Sequence, residues 1–144
     1  MAAASTRSPS RSGVGIDLAE ARAFDRLSAA AIERAARRWL RPGERDWCAA
    51  QPSFREALVT VLSCKESVFK ASGGAAAVHE VTLEMSGDWP RGWARAEREG
   101  LEPVVVFWEV SADRILTLGV EGSVEESRRL VERIIYGRRA GESA

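Results

Sequence analysis

The stretch 54–72, FREALVTVLSCKESVFKAS, constrains the fold of this chain more than any other segment. Ser53 and Glu56 make the S-x-x-E capping box that opens helices, directly after Pro52, and Gly73-Gly74 supplies the stop. At about 100° per residue, Phe54, Leu58, Val61, Leu62 and Phe69 gather on one face of the predicted helix. Glu66 and Lys70 fall one turn apart at the edge of that face, where polar groups reach solvent.

The basic residues sharpen the picture. Of 21 Lys and Arg, only Lys65 and Lys70 are lysines, and both lie in the run Lys65-Glu66-Ser67-Val68-Phe69-Lys70. An ammonium is a compact point charge suited to a phosphate or a proton transfer, whereas guanidinium is a planar fork that stays charged. The plainer reading of the same residues is an ordinary i,i+4 pair of Glu66 with Lys70, with Lys65 snorkelling beside it.

At 144 residues the chain is long enough for one domain with a proper core, and too short for two. Its 21 acidic residues balance its 21 basic ones, which excludes a globally basic nucleic-acid binder. Cys48 and Cys64 have neither metal-ligand spacing nor the look of a disulfide scaffold, and the single histidine, His79, cannot build a cluster. There is no apolar run of membrane-spanning length and no secretory h-region, so a soluble cytoplasmic protein is expected. Residues 1–12, MAAASTRSPSRS, read as a disordered tail.

Upstream of the helix, Gly13-Val14-Gly15-Ile16-Asp17-Leu18 reads as a short buried strand ending in an acid. An acid there is either a helix cap or a ligand for a hard cation. From Glu20 to Leu40 the spacing predicts helix, in two pieces broken at Ser28, followed by a break at Pro42-Gly43. Arg34, Arg37, Arg38, Arg41 and Arg45 form the densest basic cluster, either a solvated face or a surface for phosphates or an acidic partner.

Downstream the texture changes to strands. Val78 to Met85, Gly92 to Glu97, Leu101 to Val110 and Arg114 to Glu121 are strand candidates, the last two flanking a hairpin-like Ser111-Ala112-Asp113. A final helix opens at the capping box Ser123 to Glu126, places Leu130, Val131, Ile134 and Ile135 at core spacing, and stops near Gly137. The expected class is α+β, an antiparallel sheet packed against helices. Phosphate-loop, dinucleotide-binding and G-x-S-x-G signatures are absent.

The pair G-V-G-I-D-L and C-K-E-S-V-F-K-A, some fifty residues apart, resembles the 4′-phosphopantetheinyl transferases, and among them the short holo-acyl-carrier-protein synthase type. Asp17-Leu18-Ala19-Glu20 has that type's D-x-x-E spacing, and Leu40-Arg41-Pro42-Gly43-Glu44 looks like its L-[ST]-x-x-E stretch, with the family glutamate at Glu44. The resemblance covers roughly 13–121, leaving 122–144 as a C-terminal helical extension.

That resemblance implies that Asp17 and Glu66 bind Mg²⁺, and that Lys65 and Lys70 serve the phosphates of coenzyme A as co-substrate. It further implies that Glu66 and Lys70 are catalytic in transferring the 4′-phosphopantetheine arm to a serine of an apo acyl or peptidyl carrier protein of fatty-acid, polyketide or peptide synthesis. Such carriers are acidic, so Arg22, Arg26, Arg34 and Arg41 are the residues expected to meet one. A homotrimer with sites between neighbours is implied as well. The chain departs from the pattern where Val61-Leu62-Ser63 stands in place of R-F-A, at Ala23, and in a late strand, Phe107 to Ser111, that lacks histidine. These departures are what an alternative reading rests on: a catalytically weakened relative that binds carrier protein or coenzyme A. A third reading, an RNA-binding domain, rests on the arginine cluster alone.

Overall fold

A computed structural model of the chain describes residues 13–74 and 80–137. Strand β1 (Val14–Glu20) is followed by helices α1 (Ala29–Trp39), α2 (Pro42–Ala49) and α3 (Phe54–Ala71). Strands β2 (Leu83–Ser86), β3 (Arg91–Arg98), β4 (Leu101–Ser111) and β5 (Arg114–Glu121) come next, and helix α4 (Val124–Tyr136) closes the order. The five strands form one antiparallel sheet in the order β1-β5-β4-β3-β2, so the first strand is carried to the edge beside the last.

The expected α+β class is therefore what the chain adopts. Helix α3 runs over one face of the sheet, and its length follows from its ends. Ser53 Oγ accepts the Glu56 N–H at the start, and the carbonyls of Phe69 and Lys70 are capped by the N–H groups of Gly74 and Gly73 at the finish. Its burial is broader than one stripe. Leu58 and Val61 are in the core as expected, but so are Ala57, Cys64, Val68 and Ala71, while Phe69 is exposed. A helix held between a sheet and two further helices is apolar on more than one side.

The inner core gathers these residues with Ile32, Ala36 and Leu40 of α1, Cys48 of α2, and Val104, Val106 and Trp108 of β4. Trp47 stands edge-on to Trp108, with Trp89 tilted against both, which closes the end of this core. On the outer face of the sheet α4 covers β4 and β5, where Leu130, Val131 and Ile135 pack on Phe107, Leu118 and Val120, and it leaves Val14, Ile16 and Leu18 of β1, a strand expected to be buried, exposed. Ile134, expected in that core, is exposed.

Three further expectations change. Glu20 ends a strand, the chain then turns through 21–26, and the helix opens only at Ala29, with Ser28 Oγ accepting the Ala31 N–H. Ile32 and Ala36 keep helical spacing within α1, whereas Leu27 falls outside it and is exposed, and Arg55 holds the turn by donating to the Phe24 carbonyl at 2.6 Å. Asp17 consequently lies within β1, paired with Thr117, and caps no helix. The strand expected from Val78 begins at Leu83, and Val78 and His79 lie outside the described residues.

Candidate active site

The site is built where α3 crosses β1 and β5. Strand alternation turns Gly15, Asp17 and Ala19 toward α3, and cross-strand pairing sets Gly119 and Thr117 beside Gly15 and Asp17. The two glycines decide the distance. A Cβ on Gly15 would stand 2.2 Å from the Ser67 carbonyl oxygen, and one on Gly119 would stand 3.0 Å from the same atom. Helix and sheet backbones touch here because both side chains are missing.

That close approach brings the side chains of α3 onto Asp17. Ser63 Oγ donates to Asp17 Oδ2 at 2.6 Å, and Lys70 Nζ lies 3.1 Å from Oδ1 while also donating to the Ile16 carbonyl at 3.0 Å. Glu66 sits between Ser63 and Lys70, one turn from each, half-buried on the same helix. It makes no ion pair with the described residues, so its carboxylate is available. Glu20, by contrast, is three residues along the strand and exposed on the opposite face from Asp17, so the D-x-x-E spacing does not bring those two acids together.

Lys65 is placed differently from Lys70. Its side chain is wholly buried, with Nζ 2.7 Å from Glu44 Oε1 and donating to the Trp39 carbonyl at 2.9 Å. Glu44, equally buried, also accepts the backbone N–H of Arg41 and of Leu83, each at 2.7 Å. One buried pair thus ties the end of α1, the start of α2, the middle of α3 and the start of β2. In this geometry the Lys65 ammonium is held inside the fold by Glu44 and the Trp39 carbonyl, a position unlike the solvent edge that Lys70 occupies.

Burial raises the thiol of Cys48 to about 12, with the Glu44 carboxylate adding to the shift. Cys64 is pushed up as well, by burial first and by the Asp17 carboxylate next. Neither is a nucleophile. Arg22, Arg26, Arg34 and Arg41 are all exposed, on the turn before α1, on α1 and at the start of α2. A cleft of about 610 Å³ between α1, α2 and the start of α3 is bordered by Arg37, Arg45 and Arg55. Asp17, Glu66 and Lys70 are not among its walls, so this cleft and the Asp17–Lys70 contact are separate features.

The donor set suits a hard divalent cation. Asp17 Oδ1 already faces a positive charge, that of Lys70, and Glu66 offers a second carboxylate from the same helix. Among the described residues there is no group of three or more His, Cys, Asp or Glu side chains arranged for a metal. Carboxylates are the donor type that Mg²⁺ takes, usually with water and phosphate oxygens completing its shell, and are not the Cys/His set of a structural zinc.

Thr117 and Ser67, buried behind Asp17, carried no expectation in the sequence, and Ser63 stood out there only as part of a departure from the family pattern. Their signal was faint: two serines four apart on the helix, and a threonine on a strand that the eye takes as a β-former.

The search of curated proteins gives no match. Among solved structures, the chain is similar to the holo-[acyl-carrier-protein] synthase of Neisseria meningitidis, at 19% identity and a TM-score of 0.61 over 77% of this chain and 98% of that one. The Bacillus anthracis synthase, in complex with CoA (3′,5′-ADP), is 21% identical with a TM-score of 0.58 over 77% and 96%. For the Thermotoga maritima synthase the values are 22% and 0.57, over 77% of this chain and only 63% of that chain. At such identities the likeness establishes a shared fold. A family model described as the 4′-phosphopantetheinyl transferase superfamily matches residues 13–97, more than half of the sequence and all of the Asp17, Glu66 and Lys70 constellation, and the chain belongs to that superfamily.

Proposed function

We propose that this protein transfers the 4′-phosphopantetheine arm of coenzyme A to a serine hydroxyl of an apo carrier protein in a Mg²⁺-dependent reaction. The observation that carries the reading is the convergence of Asp17 with Lys70 across β1 and α3, with Glu66 one helical turn away. In the reaction the serine oxygen attacks the phosphorus that carries the pantetheine arm, the bond to 3′,5′-ADP breaks, and the serine proton must be removed. Phosphoryl chemistry of this kind asks mainly for in-line placement and for neutralisation of charge on the phosphate oxygens.

Asp17 and Glu66 would hold the cation. Its chemistry there is to offset the charge of the pyrophosphate. Lys70, nearly half exposed at the edge of α3, is free to exchange Asp17 for a phosphate oxygen and to follow charge onto the departing 3′,5′-ADP. Glu66 receives the serine proton, directly or through a water. Lys65 serves the site from inside, by fixing the turn of α3 that carries Glu66. Arg22, Arg26, Arg34 and Arg41, all exposed, offer an acidic carrier a complementary surface.

The assembly we propose is a homotrimer whose sites lie between neighbours. It is supported by the exposed apolar stripe Val14, Ile16 and Leu18 on the outer side of β1, the strand that carries Asp17. Sedimentation equilibrium should return three subunits, and Ile16→Arg should return one; a monomeric wild type overturns the assembly.

Intact-mass spectrometry of an apo carrier protein, incubated with this protein, coenzyme A and Mg²⁺ beside a chelator control, tests the reaction. A gain of one phosphopantetheine that the chelator removes is expected. No gain on any of several carriers, from folded protein, would favour a binder of carrier or coenzyme over a transferase.

A further inference from the structure

Three buried hydroxyls stand behind Asp17. Thr117 is its direct partner across β1 and β5 and is fully buried, as is Ser67, while Ser63 is 3% exposed. Thr117 Oγ1 lies 2.9 Å from Ser63 Oγ and 2.6 Å from Ser67 Oγ. Thr117 Oγ1 is also 3.1 Å from the Ser63 carbonyl, and Ser67 Oγ is 3.2 Å from the Thr117 carbonyl.

The direction of this chain follows from counting protons. The carboxylate of Asp17 can only accept, so the one hydroxyl proton of Ser63 is committed to Oδ2. Toward Thr117, Ser63 Oγ can then only accept, and the Thr117 proton has two acceptors, Ser63 Oγ at 2.9 Å and the Ser63 carbonyl at 3.1 Å, of which the hydroxyl is the nearer. Ser67 in turn must donate to Thr117. The order Ser67 to Thr117 to Ser63 to Asp17 is the one assignment that places a proton in each of the three contacts, and hydrogen bonds aligned head to tail strengthen one another.

We propose that Ser63 and Thr117 are positioning residues for the metal site: they pin Oδ2 of Asp17 inward and so present Oδ1 to the cation. This rests on the transferase reading above. Without the Ser63 hydroxyl, Asp17 is held by Lys70 alone, and that contact covers the very oxygen the cation needs. Partners that orient a metal-binding group in this way typically govern affinity by about 10- to 100-fold. The site is in effect prepared by β5, an element that contributes no metal ligand of its own.

The test is binding of Mn²⁺, a paramagnetic stand-in for Mg²⁺, by the purified full chain with coenzyme A present, read from the free-ion electron paramagnetic resonance signal. Ser63→Ala should weaken binding by about 10-fold or more. Thr117→Val, which keeps the shape and removes the hydroxyl one step further back, should weaken it by less, and Thr117→Ser should restore it. Circular dichroism melts without metal check that each variant is folded, and if Ser63→Ala is not, the Thr117→Val and Thr117→Ser pair decides. Loss of binding in Asp17→Ala together with wild-type affinity in Ser63→Ala and Thr117→Val overturns the positioning role alone. A wild type that binds no Mn²⁺ overturns it along with the metal site.

Discussion

At the scale of single residues, two lysines five positions apart have opposite fates. Lys70 ends at the solvent edge against Asp17, and Lys65 ends in the core against Glu44. Lys70→Ala should lower the turnover of phosphopantetheine transfer by roughly 100-fold with a much smaller change in carrier affinity, because in the proposed reaction its charge serves the departing 3′,5′-ADP. Asp17→Ala and Glu66→Ala should abolish transfer in the mass-spectrometric assay while their thermal melts stay cooperative; activity retained in both would remove the metal site. Lys65→Met is expected to act on stability instead. It strands a carboxylate in the core, and breaking a buried pair from one side costs about 3–5 kcal/mol, readable as a fall in the urea midpoint. A variant of unchanged midpoint that bound coenzyme A poorly would return Lys65 to the phosphate site.

At the scale of elements, the site depends on how closely α3 rests on the sheet. Gly15 and Gly119 set that distance, and the side chains on α3 and β1 merely use it. Gly15→Ala would drive a methyl group into the Ser67 carbonyl, so the helix must lift from β1. Overpacking of this kind costs about 1–3 kcal/mol. Denaturant unfolding should show that loss, and transfer activity should fall much further than the stability change explains, since lifting α3 parts Ser63 and Lys70 from Asp17. An alanine variant with full activity would mean that the close approach has no role in catalysis.

At the scale of the whole molecule, the inner face of the sheet is sealed by α3 with α1 and α2, and α4 covers β4 and β5 on the other face. No helix among the described residues is long and apolar enough to cross a membrane. Sealing also fixes the chemistry of the thiols. The folded state keeps Cys48 protonated up to about 12, whereas the ordinary value is 9.0. The folded chain thus holds protons that the unfolded chain releases, and the contribution is full below pH 9. It should be lost as the pH rises from about 9 toward 12, at about 1.4 kcal/mol per pH unit for each thiol. Urea midpoints measured through that window should fall, and fall less steeply in a Cys48→Ala, Cys64→Ala double variant. Equal slopes would place the loss on other groups.

The sequence alone determined the parts whose causes are local. Capping boxes at Ser53 and Ser123 and the glycines after each helix bounded α3 and α4, and the hairpin-like Ser111-Ala112-Asp113 set the facing ends of β4 and β5 within a residue. Asp17, Glu66 and Lys70 were legible because a motif preserves spacing along the chain. What lies between distant residues was not legible. Whether Glu20 continues a strand or opens a helix depended on its pairing with Arg114, ninety-four positions away. Whether Lys65 reaches solvent depended on Glu44 and the end of α1, and the same helical periodicity fits either fate. The hydroxyls behind Asp17 meet only because two glycines on neighbouring strands let a helix come down onto them. Local propensity chooses the elements, and the contacts that decide charge, burial and proton direction at the site exist only once those elements are packed.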